Sequence, residues 1–481
     1  MITLYTSGHE EHQILAEVWR LFFGRAVLCE TGDGVLVHEQ DASPAISIES
    51  ALAGNRISTT VRASGAESRS LSEPCAYKDR RRVLKRQLYH ALEQVTGIRF
   101  PWGSLTGVRP TQMADSILKT AGSPETAIHA MVQDWRVSPA KARLAMETND
   151  AEQAILKRLP AAAYAVYVGI PFCPSRCLYC SFTSRDAGRD PSLLLRYADA
   201  VAEELAACYS GPDYGTPVAV YVGGGTPTTL ADDAFDRLLG RLSGMVGGQP
   251  EVTVEAGRPE TITNEKLRIL QSHGISRICI NPQTMNRETL PKLNRLHDTD
   301  DVIRVFHEAR QHGMTDINMD LIAGLTDETP ADFLFSVDAL IRLNPEKITL
   351  HALARKAGSF LSDQDGKNSI YRPLPAWIDA FQTAQDRLRA AGYFPYYLYR
   401  QKYAHAGLEN IGFARPGHET VYNVAMMSDR VHVLGFGAGA STKFIVNTRA
   451  NRLHNPKDVR LYLEQAGQLG QSKVSAASKF L

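Results

Sequence analysis

From Tyr164 onward, short apolar runs alternate with longer stretches whose apolar residues recur every three or four positions. The runs are Ala165–Ile170, Val218–Val222, Val252–Glu255, Ile278–Asn281, Ile317–Ile322 and Ile348–Ala352. Nearly continuous Val, Ile and Leu marks strands covered on both faces. The gaps near 191–209, 231–243, 264–273, 300–312 and 331–343 carry the helical period. Six β-α units in series predict an α/β fold with a parallel sheet. Right-handed crossovers would curl that sheet into an open, partial (β/α)6 TIM-like barrel. Reactive side chains in such barrels gather at the carboxyl ends of the strands.

The flanks read differently. In the first stretch, β-like runs (Ile2–Tyr5, Ala26–Cys29, Val35–His38, Ile57–Val61) are divided by Gly, Asp and Ser clusters. A basic helical stretch follows, Lys78–Leu92. Its charge reads as a solvated face, with Val83, Leu84, Leu88 and Leu92 turned inward, because no aromatic platform for nucleic acid is interleaved. Trp102–Pro110 reads as a loop, with helices beyond it to about residue 158. The last part holds a helix (Ala376–Ala391), an aromatic run and a glycine-rich strand end, and the small polar stretch Ser472–Ser478 is expected to be disordered. Three domains are expected: residues 1–160, α+β and of unknown role; 161–360, the barrel; and 361–481, a mixed C-terminal domain covering the substrate.

Composition narrows the function classes. The 481 residues are 44% hydrophobic and 22% charged, ordinary for a soluble globular protein. A net charge of +1 gives no bulk attraction to nucleic acid or to acidic membranes. No apolar run reaches a membrane span, and no secretory leader is visible. Of the seven cysteines, Cys29, Cys75, Cys208 and Cys279 are scattered and read as reduced, which fits a cytoplasmic protein.

The other three lie in Cys173-Pro-Ser-Arg-Cys177-Leu-Tyr-Cys180, directly after the first barrel strand. Three thiolates can hold three irons of a [4Fe–4S] cube and leave the fourth open for chemistry. A structural zinc site would need a fourth Cys or His at motif spacing, and none is near. Gly223-Gly-Gly-Thr-Pro-Thr228 follows the second strand, where missing Cβ atoms let backbone approach a ligand, an ammonium group for instance. It lacks the order of a phosphate-binding loop. Glu255 ends the third strand and could accept from the same ammonium. Gln283 and Asp320, at the next two strands, could bind ribose hydroxyls, and Arg295 could clamp a carboxylate. Tyr179 could stack on a base. Each has a plain alternative as a surface polar or loop-packing residue. No catalytic acid or base is singled out.

The string Tyr167-x-Gly-Ile-Pro-Phe-Cys173-x₃-Cys177-x-Tyr-Cys180, with the downstream glycines, resembles radical S-adenosylmethionine enzymes. Within them it is similar to the oxygen-independent coproporphyrinogen III dehydrogenase group, and to its HemZ-type branch. Leu105–Thr111, Thr253–Pro259, Ile280–Asn286 and Tyr396–Lys402 carry that likeness, which spans roughly residues 100–450. The resemblance implies cluster ligation by Cys173, Cys177 and Cys180. It also implies an S-adenosylmethionine pocket of Tyr167, Tyr179, Gly224, Gly225, Thr226, Glu255, Gln283, Arg295, Asp320 and Ala352. The reaction implied is oxidative decarboxylation of two propionates of coproporphyrinogen III to vinyls, giving protoporphyrinogen IX, through a 5′-deoxyadenosyl radical. The partners implied are the porphyrinogen and a reductant such as flavodoxin or ferredoxin. Arg258, Lys356, Arg400 and Lys402 are candidate cations for the propionates, with ordinary salt bridges as the alternative.

Two positions depart from the pattern. Coproporphyrinogen dehydrogenases of this group carry a further cysteine where this chain has Phe182, as the haem-trafficking branch does. That branch has a His-Asn-x-x-Tyr-Trp string where this chain reads Tyr422-Asn-Val-Ala-Met-Met427. A haem-trafficking protein, or a radical enzyme acting on another substrate such as an RNA base, are the alternatives. The charge balance and the lack of an RNA-binding appendage argue against the last.

Overall fold

The architecture is taken from a computed structural model, which describes residues 2–23, 36–38, 46–63, 69–107, 109–182, 185–186, 190–246, 248, 250–354, 359–360, 373–447 and 449–480. The expected strand Ala26–Cys29 and the candidate cation Lys356 lie outside them.

The N-terminal unit is a five-stranded sheet: β1 (Ile2–Ser7), β2 (Leu36–His38), β3 (Ile46–Ala53), β4 (Arg56–Ala63) and β5 (Arg69–Pro74), in the order β2-β1-β3-β4-β5. The helices His12–Phe23 and Arg80–Thr96 cover it. The second is the basic stretch, and Val83, Leu84, Leu88 and Leu92 are buried in it as the periodicity predicts. Its core runs from Leu4 to Phe100. The helices Pro110–Ala121, Pro124–Gln133 and Pro139–Leu156 pack instead into the core of the barrel.

The barrel strands are β6 (Tyr164–Ile170), β9 (Ala219–Gly224), β10 (Glu251–Val254), β11 (Arg277–Cys279), β12 (Asp316–Ala323) and β13 (Lys347–Ala352). A two-residue ladder between β7 (Phe172–Cys173) and β8 (Arg185–Asp186) pins the cysteine loop. All six barrel strands are parallel and adjacent in chain order, as the apolar runs predict. Four of the intervening helices begin on side-chain caps, from Asp190, Thr263, Asp298 and Thr329. Asp298 with Asp301 and Thr329 with Asp332 form reciprocal capping boxes that satisfy the first free amides.

Both edges of the barrel sheet are taken by C-terminal strands. β15 (Asn410–Ala414) pairs antiparallel with β13, and β14 (Phe394–Tyr399) lies outside it. On the other edge β16 (His432–Phe436) pairs parallel with β6, followed by β17 (Ser441–Val446) and β18 (Arg449–His454). The result is one eleven-stranded sheet with no unpaired barrel edge. The stretch Ser472–Ser478, expected to be disordered, belongs to the helix Val459–Phe480. Small residues let this helix lie close on Pro191–Tyr209: a Cβ on Gly470 would come within 2.4 Å of the Glu204 carbonyl. Buried Lys473 bonds Glu204 across the contact at 2.5 Å.

Candidate functional site

At the carboxyl ends of the barrel strands lies a cavity of about 340 Å³. Cys173, Cys177 and Cys180 line it together, with Tyr179, Gly224, Gly225, Thr226, Glu255, Gln283, Arg295, Asp320 and Ala352. Residues more than 170 positions apart thus meet because each lies in a barrel strand or in the segment that follows one.

The glycine turn is locked to the strand and loop that carry the first cysteine. Gly225 N–H donates to the Ile170 carbonyl at 2.7 Å, and Thr226 N–H to that of Phe172 at 2.7 Å. Gly224 adopts φ +108°, and a Cβ on Gly225 would lie 2.5 Å from the Phe172 carbonyl oxygen, so neither position tolerates a side chain. Gly224 N–H donates to Glu255 Oε2 at 3.2 Å. With these amides used inside the protein, the turn has carbonyls rather than amides to offer a ligand.

The thiols are uncrosslinked, and burial pushes Cys173 up to about 11. Two of them have polar company: Thr226 Oγ1 is 3.6 Å from Cys173 Sγ, and Arg258 donates to Cys177 Sγ at 3.0 Å. Among the described residues no three Cys, His, Asp or Glu groups converge on a single metal ion. Ligands of a four-iron cube bind different irons and stand farther apart than that.

Arg295 fastens the cysteine loop to the strand ends. It donates to Tyr179 Oη at 2.9 Å, to the Asn281 carbonyl at 2.5 Å and to that of Gly257 at 3.3 Å. Its Nε, Asn281 Oδ1 and Gln283 Oε1 are buried without a partner among the described residues. Buried polar atoms are rarely left so, and three around one cavity mark where a polar ligand completes the bonding. Glu255 is raised to about 7, by burial first and then by the charge of Asp320. Asp320 accepts from Asn318 at 2.7 Å, and His351 Nε2 lies 3.6 Å away. Burial would lower His351, but the Asp320 carboxylate raises it.

Comparison with known proteins decides the family. The profile of the radical SAM superfamily matches residues 167–340. The oxygen-independent coproporphyrinogen-III oxidase-like protein HemZ of Bacillus subtilis is 35% identical over 423 residues, 85% of this chain and 83% of its own. The chain belongs to the radical SAM superfamily, in its HemZ/HemN group. The heme chaperone HemW of Bacillus subtilis is 28% identical, over 57% of this chain and 70% of its own. Among solved structures, coproporphyrinogen III oxidase (HemN) of Escherichia coli shares the fold, with TM-score 0.52 and 24% identity over 66% of this chain and 72% of that one.

Radical SAM membership brings its cofactors, a [4Fe–4S] cluster and S-adenosylmethionine. The donor set fits both: three free thiols on one loop, a glycine turn a Cβ would fill, and orphaned polar atoms on residues that line the same space. Tyr167 stands apart from the others. Its ring lies behind the glycine turn, stacked on Tyr422 at 6.1 Å, and does not line the cavity. Tyr422, in the segment that departs from the trafficking pattern, is stacked in turn on Tyr221 at 4.6 Å. Phe182 lines the cavity and is 64% exposed.

Two of the candidate propionate cations turn elsewhere. Arg400 donates to the Leu105 carbonyl on the opposite side of its strand, and Lys402 pairs with Glu17 at 2.9 Å. Tyr397 and Tyr399 face the cavity, so strand alternation sends Arg400 away. Arg258 does line the cavity, tied to Glu260 and Cys177. Sequence reasoning missed Asn281, Asn318, His351, Tyr221 and Asn410, all on the wall. Their only signal was position at or near a strand end.

Proposed function

We propose that this protein is an oxygen-independent coproporphyrinogen III dehydrogenase, converting two propionates to vinyls and yielding protoporphyrinogen IX. The observation that carries it is the single cavity joining three thiols, the glycine turn and the acidic strand ends, in a chain similar to HemZ along most of its length. Cys173, Cys177 and Cys180 would hold the cluster. The glycine carbonyls and Glu255 would take the amino end of S-adenosylmethionine, and Arg295 Nε its carboxylate. Gln283 and Asp320 would bind the ribose, with Tyr179, Thr226 and Ala352 shaping the walls. Tyr167 would support the turn from behind. When bound and reduced, the cluster and sulfonium supply a carbon radical able to take a hydrogen atom from a propionate. The chain's own part is to orient that carbon and to exclude water and oxygen. A small acidic electron carrier in a reducing cytoplasm is the reductant this reading calls for.

Phe182 favours a second reading, a haem-binding chaperone, since the loop offers no fourth thiol there. Anaerobic incubation with S-adenosylmethionine, reductant and coproporphyrinogen III separates the two. Vinyl product with released CO₂ is expected. Cofactor cleavage without vinyl product, together with a stoichiometric haem complex, would overturn the dehydrogenase and leave the chaperone.

A further inference from the structure

A second cavity, of about 70 Å³, lies between the N-terminal unit and the barrel. Its walls come from the helix His12–Phe23, the loop around Thr106 and the turn after β14. Arg20, Arg400 and Lys402 line it, against one carboxylate, Glu17. Glu17 is already shared, accepting from Lys85 at 2.6 Å and from Lys402 at 2.9 Å.

Arg400 is the anomaly. It is 8% exposed and lies over the Trp102 ring; among the described residues its Nε has no partner, and its one hydrogen bond goes to the neutral Leu105 carbonyl. The acid that acts on it, Glu409, is held by Lys141, Trp102 and Gln385. Burial draws Arg400 down to about 10. A buried guanidinium without a counter-ion is costly, and proteins rarely keep one unless something anionic completes it.

We propose that this cavity binds a small oxyanion, a carboxylate or phosphate group, against the Arg400 guanidinium, and that the N-terminal unit closes the site. The planar guanidinium fork matches either group and would pair with it through two bonds. The volume admits one such group and excludes a macrocycle. Arg20 reaches the cavity from the N-terminal unit and Arg400 from the barrel side, so one anion bridges both. The site is separate from the reaction cavity: Gln401 borders both, and Tyr399 and Arg400 point to opposite sides of the strand end.

The test titrates the full cluster-loaded chain with inorganic phosphate and, separately, with sodium acetate. Chloride at equal ionic strength serves as the screening control. Saturable one-site binding by calorimetry is expected, with a melting temperature raised by about 3 °C at saturation. Arg400→Met and Arg20→Gln should each weaken binding at least about tenfold. The preferred anion assigns the group as phosphate or carboxylate. No saturation beyond chloride by either anion, or unchanged affinity in Arg20→Gln, overturns the proposal. If Arg400→Met fails to fold, Arg20→Gln decides.

Discussion

Glu255 shows how one side chain can be set by its surroundings. Taken from water and placed near Asp320, it titrates at about 7 instead of its usual 4.5. A raised folded value means that stability is fully present below pH 4.5 and is lost as pH rises through 7. In the cofactor-free chain, Glu255→Gln should therefore gain on the native protein between pH 5 and 8, by up to about 3 kcal/mol in urea unfolding. Parallel stability profiles of the two chains would show that Glu255 does not titrate there. Cys177 gives a second prediction. Cys177→Ala should abolish both iron–sulfur absorbance and cofactor cleavage, and retained cleavage would overturn its place as a ligand. The cysteines were legible because all three lie within one loop. His351, Asn281 and Asn318 were not, because each reaches the wall from a different strand with no local pattern around it.

At the scale of elements, close approach does what bulk burial cannot. The glycine turn sits on the backbone of the cysteine loop, so Gly225→Ala must push the Phe172 carbonyl away. Overpacking of this kind costs about 1–3 kcal/mol, and chemical unfolding should show it with slower cluster loading. The helix Val459–Phe480 depends on a buried pair, with Lys473 on Glu204 and Glu204 also accepting from Tyr462, Asn455 and the Gly437 amide. Lys473→Met leaves that carboxylate buried and short of its cation, and should cost about 3–5 kcal/mol. Adding Glu204→Gln should recover much of the loss; no recovery would mean that packing, not charge, holds the helix. The polar and small residues of this stretch hid a helix in the sequence, because they serve close helix contact rather than a broad apolar stripe. The edge strand β18, Arg-Ala-Asn-Arg-Leu-His, carries no alternation and was equally hidden.

Among the described residues of the whole molecule, the two largest hydrophobic cores meet at a polar seam. One ends at Phe100 and the other begins at Trp102. The parallel sheet was legible because strands buried on both faces are almost uninterrupted apolar runs. Its completion by β14–β18 at both edges was not, because pairing between distant segments leaves no mark on either one. The seam is held by Lys85 to Thr106 at 2.9 Å, Arg136 to Glu93 at 3.0 Å and Lys402 to Glu17 at 2.9 Å. Partly exposed pairs of this kind contribute well under 1 kcal/mol each, too little to make one core depend on the other. A chain beginning at Pro101 should therefore fold, melt in one transition where the full chain shows two, and load the same iron per chain. All three cysteines and every other residue of the reaction cavity lie beyond residue 100. An insoluble product, or one that cannot take up iron, would show that the N-terminal unit supports the barrel. If it folds, its melting temperature should no longer rise with phosphate or acetate, since Arg20 leaves with the helix that carries it.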